Sequence, residues 1–421
     1  MANKADWKKL LHVPSCRHCH AALTVTLADL GMSPVANDYV DPVRHAGMEP
    51  FYPLEVLVCP TCRLAQTRDV LGPGAVFRED YAYFSSHSTS WLDHARRYVE
   101  EARERFHLNT ASLVVEIASN DGYLLQYVRN HGIGAVGIEP CKSVADAAIA
   151  KGIDTRIKFF GRGTARALAA EGLNADLIVA NNVLAHVPDI NDFVGGIAIL
   201  LKPEGVATFE VHHLLRLMQR RQFDTIYHEH FSYLSLVAAQ KLFAAADLRV
   251  FDVEELTSHG GSIRFFVCRA EASQEESPNV ARVLAEERDF GLERDETYEA
   301  WGRDVHASKR ALLKLLVDLK DQGKSIAAYG APAKGVTLLN FCGIGRDFID
   351  FTVDLAPSKQ NRLLPGVHIP ILSPDALYEM RPDYVVILPW NIEAEIVTQC
   401  AGIRDWGGKF IVPVPSPRIV D

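Results

Sequence analysis

The 421-residue sequence has no uninterrupted apolar run of about 18 residues, the length needed for a membrane-spanning helix. Its first residues also lack the apolar core and small-residue cleavage site of an export signal. There is no basic tract, and 44 lysines and arginines against 53 acidic residues give a net charge of −9. These absences predict a cytoplasmic protein, here expected as a monomer, that has neither a membrane nor a nucleic acid polymer as partner.

Internal repeats and low-complexity tracts are also missing, which excludes solenoid architectures. At this length one hydrophobic core rarely organises the whole chain, so several domains are expected. Eight cysteines in a long cytoplasmic chain favour free thiols or metal ligands over a disulfide framework. Four of them are scattered, and we expect these to be ordinary buried residues.

The other four cysteines form two CxxC pairs, CRHC and CPTC. Each such turn can aim two sulfurs at one point, and four thiolates satisfy Zn²⁺ in a tetrahedron. We therefore predict a structural zinc site, closed to chemistry, with the ligands Cys16, Cys19, Cys59 and Cys62. Chance occurrence and a redox CxxC are the alternatives, although neither pair has the strand-to-helix context of a redox motif. The adjacent His18 and His20 are interpreted as bystanders.

The rest of the chain reads as two series of alternating strands and helices. An amphipathic helix is predicted near Trp91 to Phe106, and buried strands at 134–138, 175–180 and 206–211. This alternation is typical of doubly wound parallel sheets, so the predicted fold class is α/β, with a zinc-binding lobe and two Rossmann-like domains. The predicted units are a zinc lobe at 10–75, a first Rossmann-like domain at 76–272, a helical connector at 273–322 and a second Rossmann-like domain at 323–421.

A small-residue turn follows the first buried strand in EIASNDG, with Glu116, Ala118, Asn120 and Gly122 as candidate cofactor contacts. Glu139, which ends the next strand, lies at the spacing at which a carboxylate can hold a ribose diol. NAD binding predicts the same acid, but the turn lacks the GxGxxG phosphate fingerprint. It therefore suits S-adenosylmethionine (SAM), which has no diphosphate; a purely structural turn is the alternative.

Asn181 and Asn182 follow a later buried strand, and strand ends are where doubly wound sheets present ligands. We predict that both amides help to bind the cofactor. Capping of the turn is the alternative for either residue.

The densest group of acids and bases lies in FDTIYHEHFSY, with Tyr227, His228, Glu229, His230 and Tyr233. Methylation of carbon by a sulfonium requires a base that removes a proton beside a carbonyl, and a donor that stabilises the enolate. Histidine suits the first role, and tyrosine or histidine the second. In an extended chain His228 and His230 would share a side, so metal binding by HxH and ordinary packing remain alternatives. His212 and His213 are interpreted as structural.

A second glycine-containing turn, GAPAKG, follows a strand in the C-terminal half. Its amides and Lys334 are candidate ligands of a pyrophosphate, and tight packing of helix on sheet is the alternative. Lys359 and Arg362 add positive charge nearby, with solvation as their alternative role.

Four blocks of the sequence together resemble the zinc-containing sugar C-methyltransferases that act on nucleotide-linked 4-keto-deoxysugars, often dTDP-linked and methylated at C-3. The blocks are CRHC with CPTC, EIASNDGYLLQ with GIEP, QFDTIYHEHFSYLS with SHGGSIR, and YGAPAKGVTLLNF with PSKQNRLLPGVHIPI. The resemblance covers nearly the whole chain and implies a C-terminal domain that helps to hold the nucleotide-sugar.

The resemblance also implies roles for single residues. His230 would be the base at C-3, with Tyr227 and Glu229 lining the sugar pocket and Tyr81 and His186 approaching from other segments. Ala118 stands where the family usually has glycine, which is tolerable if its φ stays negative. Methylation of another acceptor, an NAD-dependent sugar oxidoreductase and a non-enzymatic zinc scaffold are the competing interpretations.

Overall fold

The computed structural model describes residues 13–43, 47–68, 71–72 and 84–421. Its N-terminal lobe contains an antiparallel sheet with the order β1-β2-β3-β9. The strands are β1 (Val25–Ser33), β2 (Tyr52–Val58), β3 (Ala65–Thr67) and β9 (Ser232–Tyr233). The last strand comes from far along the chain, so the lobe is completed by a segment from the middle of the sequence.

The central domain has a seven-stranded sheet with the order β10-β11-β8-β7-β4-β5-β6. Its strands are β4 (Leu113–Ile117), β5 (Gly134–Ile138), β6 (Asp154–Arg156), β7 (Ala175–Asn181), β8 (Leu201–His212), β10 (Leu248–Leu256) and β11 (Ser262–Arg269). Strand β11 is antiparallel to both neighbours, and β4 to β8 pair in parallel. The three predicted strands of this domain are present, although β8 begins earlier than expected.

Helices flank this sheet. They are α1 (Thr89–Arg105), α2 (Leu125–Asn130), α3 (Lys142–Ala150), α4 (Arg162–Ala170), α5 (Ile190–Leu200), α6 (Leu214–Gln219) and α7 (Leu236–Ala244). Short 3₁₀ helices lie at Ser85–His87, Leu184–His186, Phe223–Thr225 and Ser258–Gly260. Helix α1 agrees with the predicted amphipathic segment and begins at Ser88, whose side chain accepts from the Trp91 amide.

Two helices occupy the predicted connector, α8 (Pro278–Phe290) and α9 (Asp295–Asp321). Helix α8 begins with a proline after a Ser277 cap and ends at Gly291 in the left-handed conformation. Helix α9 lies directly on β1, because a Cβ on Gly302 would be only 2.8 Å from the Leu27 carbonyl oxygen. The connector thus packs against the zinc lobe.

The C-terminal domain has a six-stranded sheet with the order β14-β13-β12-β15-β16-β17, parallel except for the last strand. Its strands are β12 (Ile326–Tyr329), β13 (Thr352–Val353), β14 (Ile371–Leu372), β15 (Tyr384–Ile387), β16 (Lys409–Val412) and β17 (Arg418–Val420). Its helices are α10 (Ala333–Cys342), α11 (Asp375–Met380), α12 (Glu393–Gln399) and the 3₁₀ helices Trp390–Ile392 and Ala401–Trp406. The predicted second Rossmann-like half is therefore present.

One hydrophobic cluster joins the zinc lobe to the C-terminal domain. It includes Leu27 and Val56 of the lobe, Trp301 of α9, and Val336 and Leu339 of α10. The central sheet has a separate core on each face. Within the described residues, no helix is both long and apolar enough to cross a membrane.

Candidate active site

The four cysteines of the two CxxC pairs converge in the N-terminal lobe. Their sulfurs all lie within 4.8 Å of one another, with 3.6 Å between Cys16 and Cys62 and 3.4 Å between Cys19 and Cys59. Of the described residues, these four form the only cluster of side chains suited to hold a metal. The alternative of a metal site at HxH is not supported by these residues.

The two cysteine turns have the same backbone. In each, the residue after the second cysteine is left-handed, with φ of 62° at His20 and 67° at Arg63. In each, that residue donates its amide to the carbonyl of the first cysteine at 3.0 Å. His18 instead hydrogen-bonds Asn191 at 2.8 Å, in line with a bystander.

In the turn after β4, every second residue has a left-handed backbone conformation. Ala118, Asn120 and Gly122 have φ of 56°, 49° and 77°. The condition of a negative φ at Ala118 is therefore wrong, because the turn must curl back so that the Ala118 amide reaches the Ile138 carbonyl at 2.8 Å. A non-glycine residue pays about 1–2 kcal/mol in this region.

Glu139 ends β5 beside this turn and is almost completely buried. One carboxylate oxygen accepts from the Asn120 amide at 3.0 Å, and the other from the Cys141 amide at 2.8 Å. Burial raises the pKa of Glu139, against the effect of these two hydrogen bonds. The side chain of Asn120 accepts from the Ser85 amide at 2.9 Å, so that side chain connects the turn to the segment before α1.

Glu116 and the two asparagines complete this region. Burial, and then the negative charges of Glu139 and Asp121, raise the pKa of Glu116 well above its usual value. Asn181 ends β7 and is buried, and Asn182 follows with a φ of 52°. The structure thus brings all seven predicted cofactor residues to one edge of the sheet.

The Tyr227 to His230 segment is a turn and not an extended strand. The His230 amide donates to the Tyr227 carbonyl at 2.9 Å, which places both side chains together. Nδ1 of His230 donates to the Thr225 carbonyl at 2.9 Å, and the Tyr227 hydroxyl lies 2.7 Å from Nε2. Burial lowers the pKa of His230 well below 6.5, so the ring is neutral and Nε2 accepts from the tyrosine.

The expectation that His228 shares a side with His230 is wrong. Because the chain turns, Nε2 of His228 donates instead to the Pro53 carbonyl of β2 at 3.2 Å. Glu229 is also directed at the zinc lobe, where the Asn37 amide group donates to it at 3.0 Å. Burial raises the pKa of Glu229.

His186 reaches the same place from the segment after β7. Its Nδ1 donates to the Glu229 carbonyl at 2.8 Å, and its ring centre is 4.7 Å from that of His230. Burial lowers the pKa of His186 to about 4. Tyr81, also predicted to approach the sugar, lies outside the described residues.

Two further histidines lie beside His230, and the sequence indicated neither as a site residue. The His212 ring, at the end of β8, is 5.4 Å from His230 and 5.3 Å from His259 of the SHGGSIR block. Only His213 fits the structural interpretation, since it is buried against Glu287 at 2.7 Å. The sequence signal that could have pointed to His259 is the pair of glycines that follows it, which is typical of an unusual turn. His259 itself is left-handed, with φ of 54°.

The His259 loop is held by a buried carboxylate. Glu210 of β8 is fully buried and accepts from Ser258, His94 and Arg264, each at 2.8 Å. Burial opposes ionisation, but His94 and Arg264 outweigh it and hold the pKa of Glu210 at about 2. Trp91 of α1 packs between His94 and His259.

The C-terminal domain contacts the same segment through Trp390, whose Nε1 donates to Asp224 at 2.6 Å. Lys334 lies over the Trp390 ring, with its Nζ 4.3 Å from the centre, and donates to Asn391. Burial lowers the pKa of Lys334 to about 8, with Asp224 acting against it. Lys334 therefore lies beside the histidine cluster, the group formed by His186, His212, His230 and His259.

Lys359 lies on the GAPAKG turn itself. Its Nζ donates to the Ala331 carbonyl at 3.0 Å and lies 3.5 Å from Asp354. Arg362 is exposed on the same loop. Lys359 thus contacts the turn that carries Lys334, and Arg362 lies three residues further along the chain.

Comparison with known proteins agrees with this arrangement. The C-methyltransferase NovU of Streptomyces niveus is 37% identical over 408 residues, which cover 97% of each chain. The chain belongs to this C-methyltransferase family. Three family models match in order: "Putative zinc binding domain" at 16–77, "Methyltransferase domain" at 91–253 and "C-methyltransferase C-terminal domain" at 257–415.

More distant likenesses cover only parts of the chain. A ubiquinone biosynthesis O-methyltransferase of Bartonella tribocorum is 30% identical over 94 residues, 22% of this chain and 38% of that protein. A solved structure, the 1,6-didemethyltoxoflavin-N1-methyltransferase of Burkholderia thailandensis, has 14% identity and a TM-score of 0.37 over 50% of this chain and 96% of its own.

The C-methyltransferase has the class I SAM-dependent fold, and its central turn fits SAM. Three buried or nearly buried carboxylates, Glu116, Asp121 and Glu139, surround that turn and suit a ligand that carries a sulfonium and an ammonium group. Among the residues that the structure describes, no hydrogen-bond partner reaches the buried Oδ1 of Asp121 or Oδ1 of Asn182. Both are available to donors of the cofactor.

The cysteine cluster likewise fits a structural zinc. Gln66 Nε2 donates to the Cys16 sulfur at 3.2 Å, and the Cys62 amide to the Cys59 sulfur at 3.4 Å. Such N–H donors favour thiolates, and four thiolates leave no open coordination position for chemistry.

Proposed function

We propose that this C-methyltransferase acts on a nucleotide-linked, dTDP-type 4-keto-deoxysugar and methylates it at C-3. The observation that carries the proposal is the orientation of His230. With Nδ1 committed to the Thr225 carbonyl, its basic Nε2 lies against the Tyr227 hydroxyl at 2.7 Å. A neutral imidazole can act as the general base that removes a proton beside a ketone, and a phenol next to it can act as the hydrogen-bond donor.

In the proposed step the Tyr227 hydroxyl turns from Nε2 of His230 toward the C-4 oxygen, which frees the lone pair of Nε2 to take the C-3 proton. The C–H electron pair moves toward the C-4 carbonyl and gives an enolate, whose oxygen needs a donor. Tyr227 is the proposed donor, since its hydroxyl adjoins the His230 ring, whereas the one N–H of neutral His186 is held by the Glu229 carbonyl and His186 lines the pocket beside His230. SAM, when bound, supplies the electrophilic methyl group and leaves as S-adenosylhomocysteine.

The histidine cluster favours this chemistry because its rings are held neutral. Burial lowers the pKa of His212 and His230 well below 6.5 and that of His259 to about 4. A neutral ring can accept the substrate proton at physiological pH. His230 is buried, and burial strengthens a hydrogen bond to a developing enolate.

The C-terminal domain is proposed to bind the nucleotide diphosphate. Lys334 and Lys359 supply positive charge on either side of the GAPAKG turn, with Arg362 further out. The NAD-dependent interpretation is less well supported, because the Asp354 carboxylate already faces Lys359 at 3.5 Å and Lys359 also donates to the Ala331 carbonyl of the same turn. That carboxylate is therefore poorly placed to hold a ribose.

Incubation with methyl-labelled SAM and a panel of dTDP-, GDP- and CDP-linked 4-keto-6-deoxysugars, read by mass spectrometry, tests the proposal. The expected result is a gain of one labelled methyl group on carbon with the dTDP-linked sugars. Labelled product on oxygen or nitrogen, or no product from any ketosugar, would replace this acceptor with another. Saturable NAD binding without SAM binding would support an oxidoreductase instead.

A further inference from the structure

The catalytic segment continues directly into the zinc lobe. Strand β9 begins two residues after His230 and pairs with β3, which lies just after Cys62. Between them, the Thr67 amide donates to the Phe231 carbonyl at 3.1 Å. A displacement of β3 therefore displaces the residue that follows the proposed base.

Arg17 joins the first cysteine turn to this junction. It lies between Cys16 and Cys19, and its guanidinium donates both to the Phe231 carbonyl and, at 2.8 Å, to the Thr67 carbonyl. The guanidinium carbon is also 5.5 Å from the centre of the Phe231 ring. One side chain from the metal-binding turn thus holds the strand and the catalytic segment together.

The backbone of Arg17 is held in place by the same cysteine turn. Its amide donates to Gln66 Oε1 at 2.9 Å, while Gln66 Nε2 donates to the Cys16 sulfur at 3.2 Å. A guanidinium presents its donors in a rigid planar fork, so two carbonyls can be held in one geometry. A lysine has a single nitrogen and cannot reproduce that arrangement.

We propose that Arg17 is a positioning residue for His230, through which the first cysteine turn sets the placement of the base. The inference rests on the proposed role of His230, and it gives the zinc lobe a part in catalysis without chemistry at the metal. Active sites tolerate little misplacement, since about 1 Å can cost 10²-fold in rate.

Arg63 offers a matched control in the second cysteine turn. Its guanidinium makes an ion pair with Asp295 of α9, away from the catalytic segment. Arg63→Met therefore removes one charge and one ion pair from the same lobe. It leaves the contacts to Phe231 and Thr67 intact.

The experiment compares Arg17→Met, Arg17→Lys and Arg63→Met for zinc content, SAM affinity and steady-state kinetics. Arg17→Met should retain about one zinc and wild-type SAM affinity, but lose about tenfold to a hundredfold in kcat with little change in KM. Arg17→Lys should recover part of that loss. Arg63→Met should stay within about twofold of wild type.

Hydrogen–deuterium exchange provides a readout independent of turnover. Arg17→Met should increase exchange in peptides that cover Tyr227 to Leu234 but not in the turn at Glu116 to Gly122, and Arg63→Met should do neither. Equal effects of the Arg17 and Arg63 variants, or a normal kcat in Arg17→Met, would overturn the inference.

Should Arg17→Met lose zinc or unfold, the same comparison of kinetics and exchange is made between Arg17→Lys and Arg63→Met, and it decides the inference. A wild-type enzyme inactive on every ketosugar would instead count against the proposed function, and the exchange result would still test the positioning.

Discussion

The two Rossmann-like domains build the turn after their first strand in the same way. In the central domain, Glu139 accepts the Asn120 amide of that turn and the Cys141 amide two residues ahead of itself. In the C-terminal domain, Asp354 accepts the Ala331 amide and the amide of Ala356 in the same pattern, at 2.7 and 2.8 Å. The acid and the turn therefore form one unit in both domains.

The charges around this unit differ. In the central domain the neighbours of Glu139 are two further carboxylates, Glu116 and Asp121; Asp121 pairs with Lys151 at 3.2 Å, but the carboxylates outnumber this cation and suit a cationic cofactor. In the C-terminal domain Lys359 lies 3.5 Å from Asp354 and donates to the Ala331 carbonyl. The same backbone thus favours a cation in one domain and an anion in the other. Ligand class follows from a few side chains on a shared frame.

Loss of the base between the two domains should have the largest effect. His230→Ala should lower kcat by about 10² or more, because the proposed proton acceptor beside Tyr227 is removed. SAM affinity, measured by calorimetry, and nucleotide-sugar binding should stay near wild type. His228→Ala is the neighbouring control, as His228 faces Pro53. Near-normal turnover in His230→Ala would refute the assignment.

The pH profile of kcat gives a second test of this site. A base works only in its neutral form, and burial lowers the pKa of His230, next to His186 and His259. Activity should therefore persist below the ordinary histidine value of about 6.5 and fall only at lower pH. An acid limb at or above that value would show that the base is solvated or is another group.

Exchange of the two acids for amides tests the comparison itself. Glu139→Gln should weaken SAM binding by about 10- to 100-fold, because a charged acceptor is lost from the cofactor turn. Asp354→Asn should leave the SAM Kd unchanged and alter only the KM for the nucleotide-sugar. Equal effects of both variants on SAM would mean that the two turns do not serve separate ligands.

Lys359→Met should raise the KM for the nucleotide-sugar by about fivefold with kcat and SAM affinity preserved, since one phosphate contact is worth roughly 1 kcal/mol. Lys324→Met is the control, because Lys324 pairs with Asp383 at the opposite end of β12. A KM unchanged by Lys359→Met would favour the solvated role for this side chain.

The sequence predicts the parts of this molecule that depend on local pattern. The buried strands β4 and β5 are recognisable in the sequence as short apolar runs. Glu139 could be predicted as a cofactor contact because it stands at the end of the second run. The zinc ligands follow from the CxxC spacing, because the chemistry of the metal fixes the geometry. These predictions needed no knowledge of how the domains pack.

The proposed catalytic centre depends on contacts between distant segments, and there the sequence-based prediction was incomplete. Tyr227 to His230 adopts a turn because β9 must pair with β3 of the zinc lobe, a contact that local pattern does not reveal. For the same reason His212 and His259 were missed, since only the sheet edge brings them beside His230. Ala118 took a left-handed φ because tertiary contacts outweigh the preference of alanine.

The strain at Ala118 gives the smallest expected effect and tests the backbone of the central turn. Ala118→Gly removes about 1–2 kcal/mol of left-handed strain but adds about 0.4–1 kcal/mol of unfolded-state entropy, so a gain of about 0.5–1 kcal/mol is expected. Calorimetry should show Tm rising by about 1–3 °C, with SAM affinity preserved. Gly122→Ala should lower Tm, because φ is 77° there and the added Cβ would lie 2.1 Å from Ile153 Cδ1. A lower Tm in Ala118→Gly would mean that the alanine methyl group contributes packing that outweighs the strain.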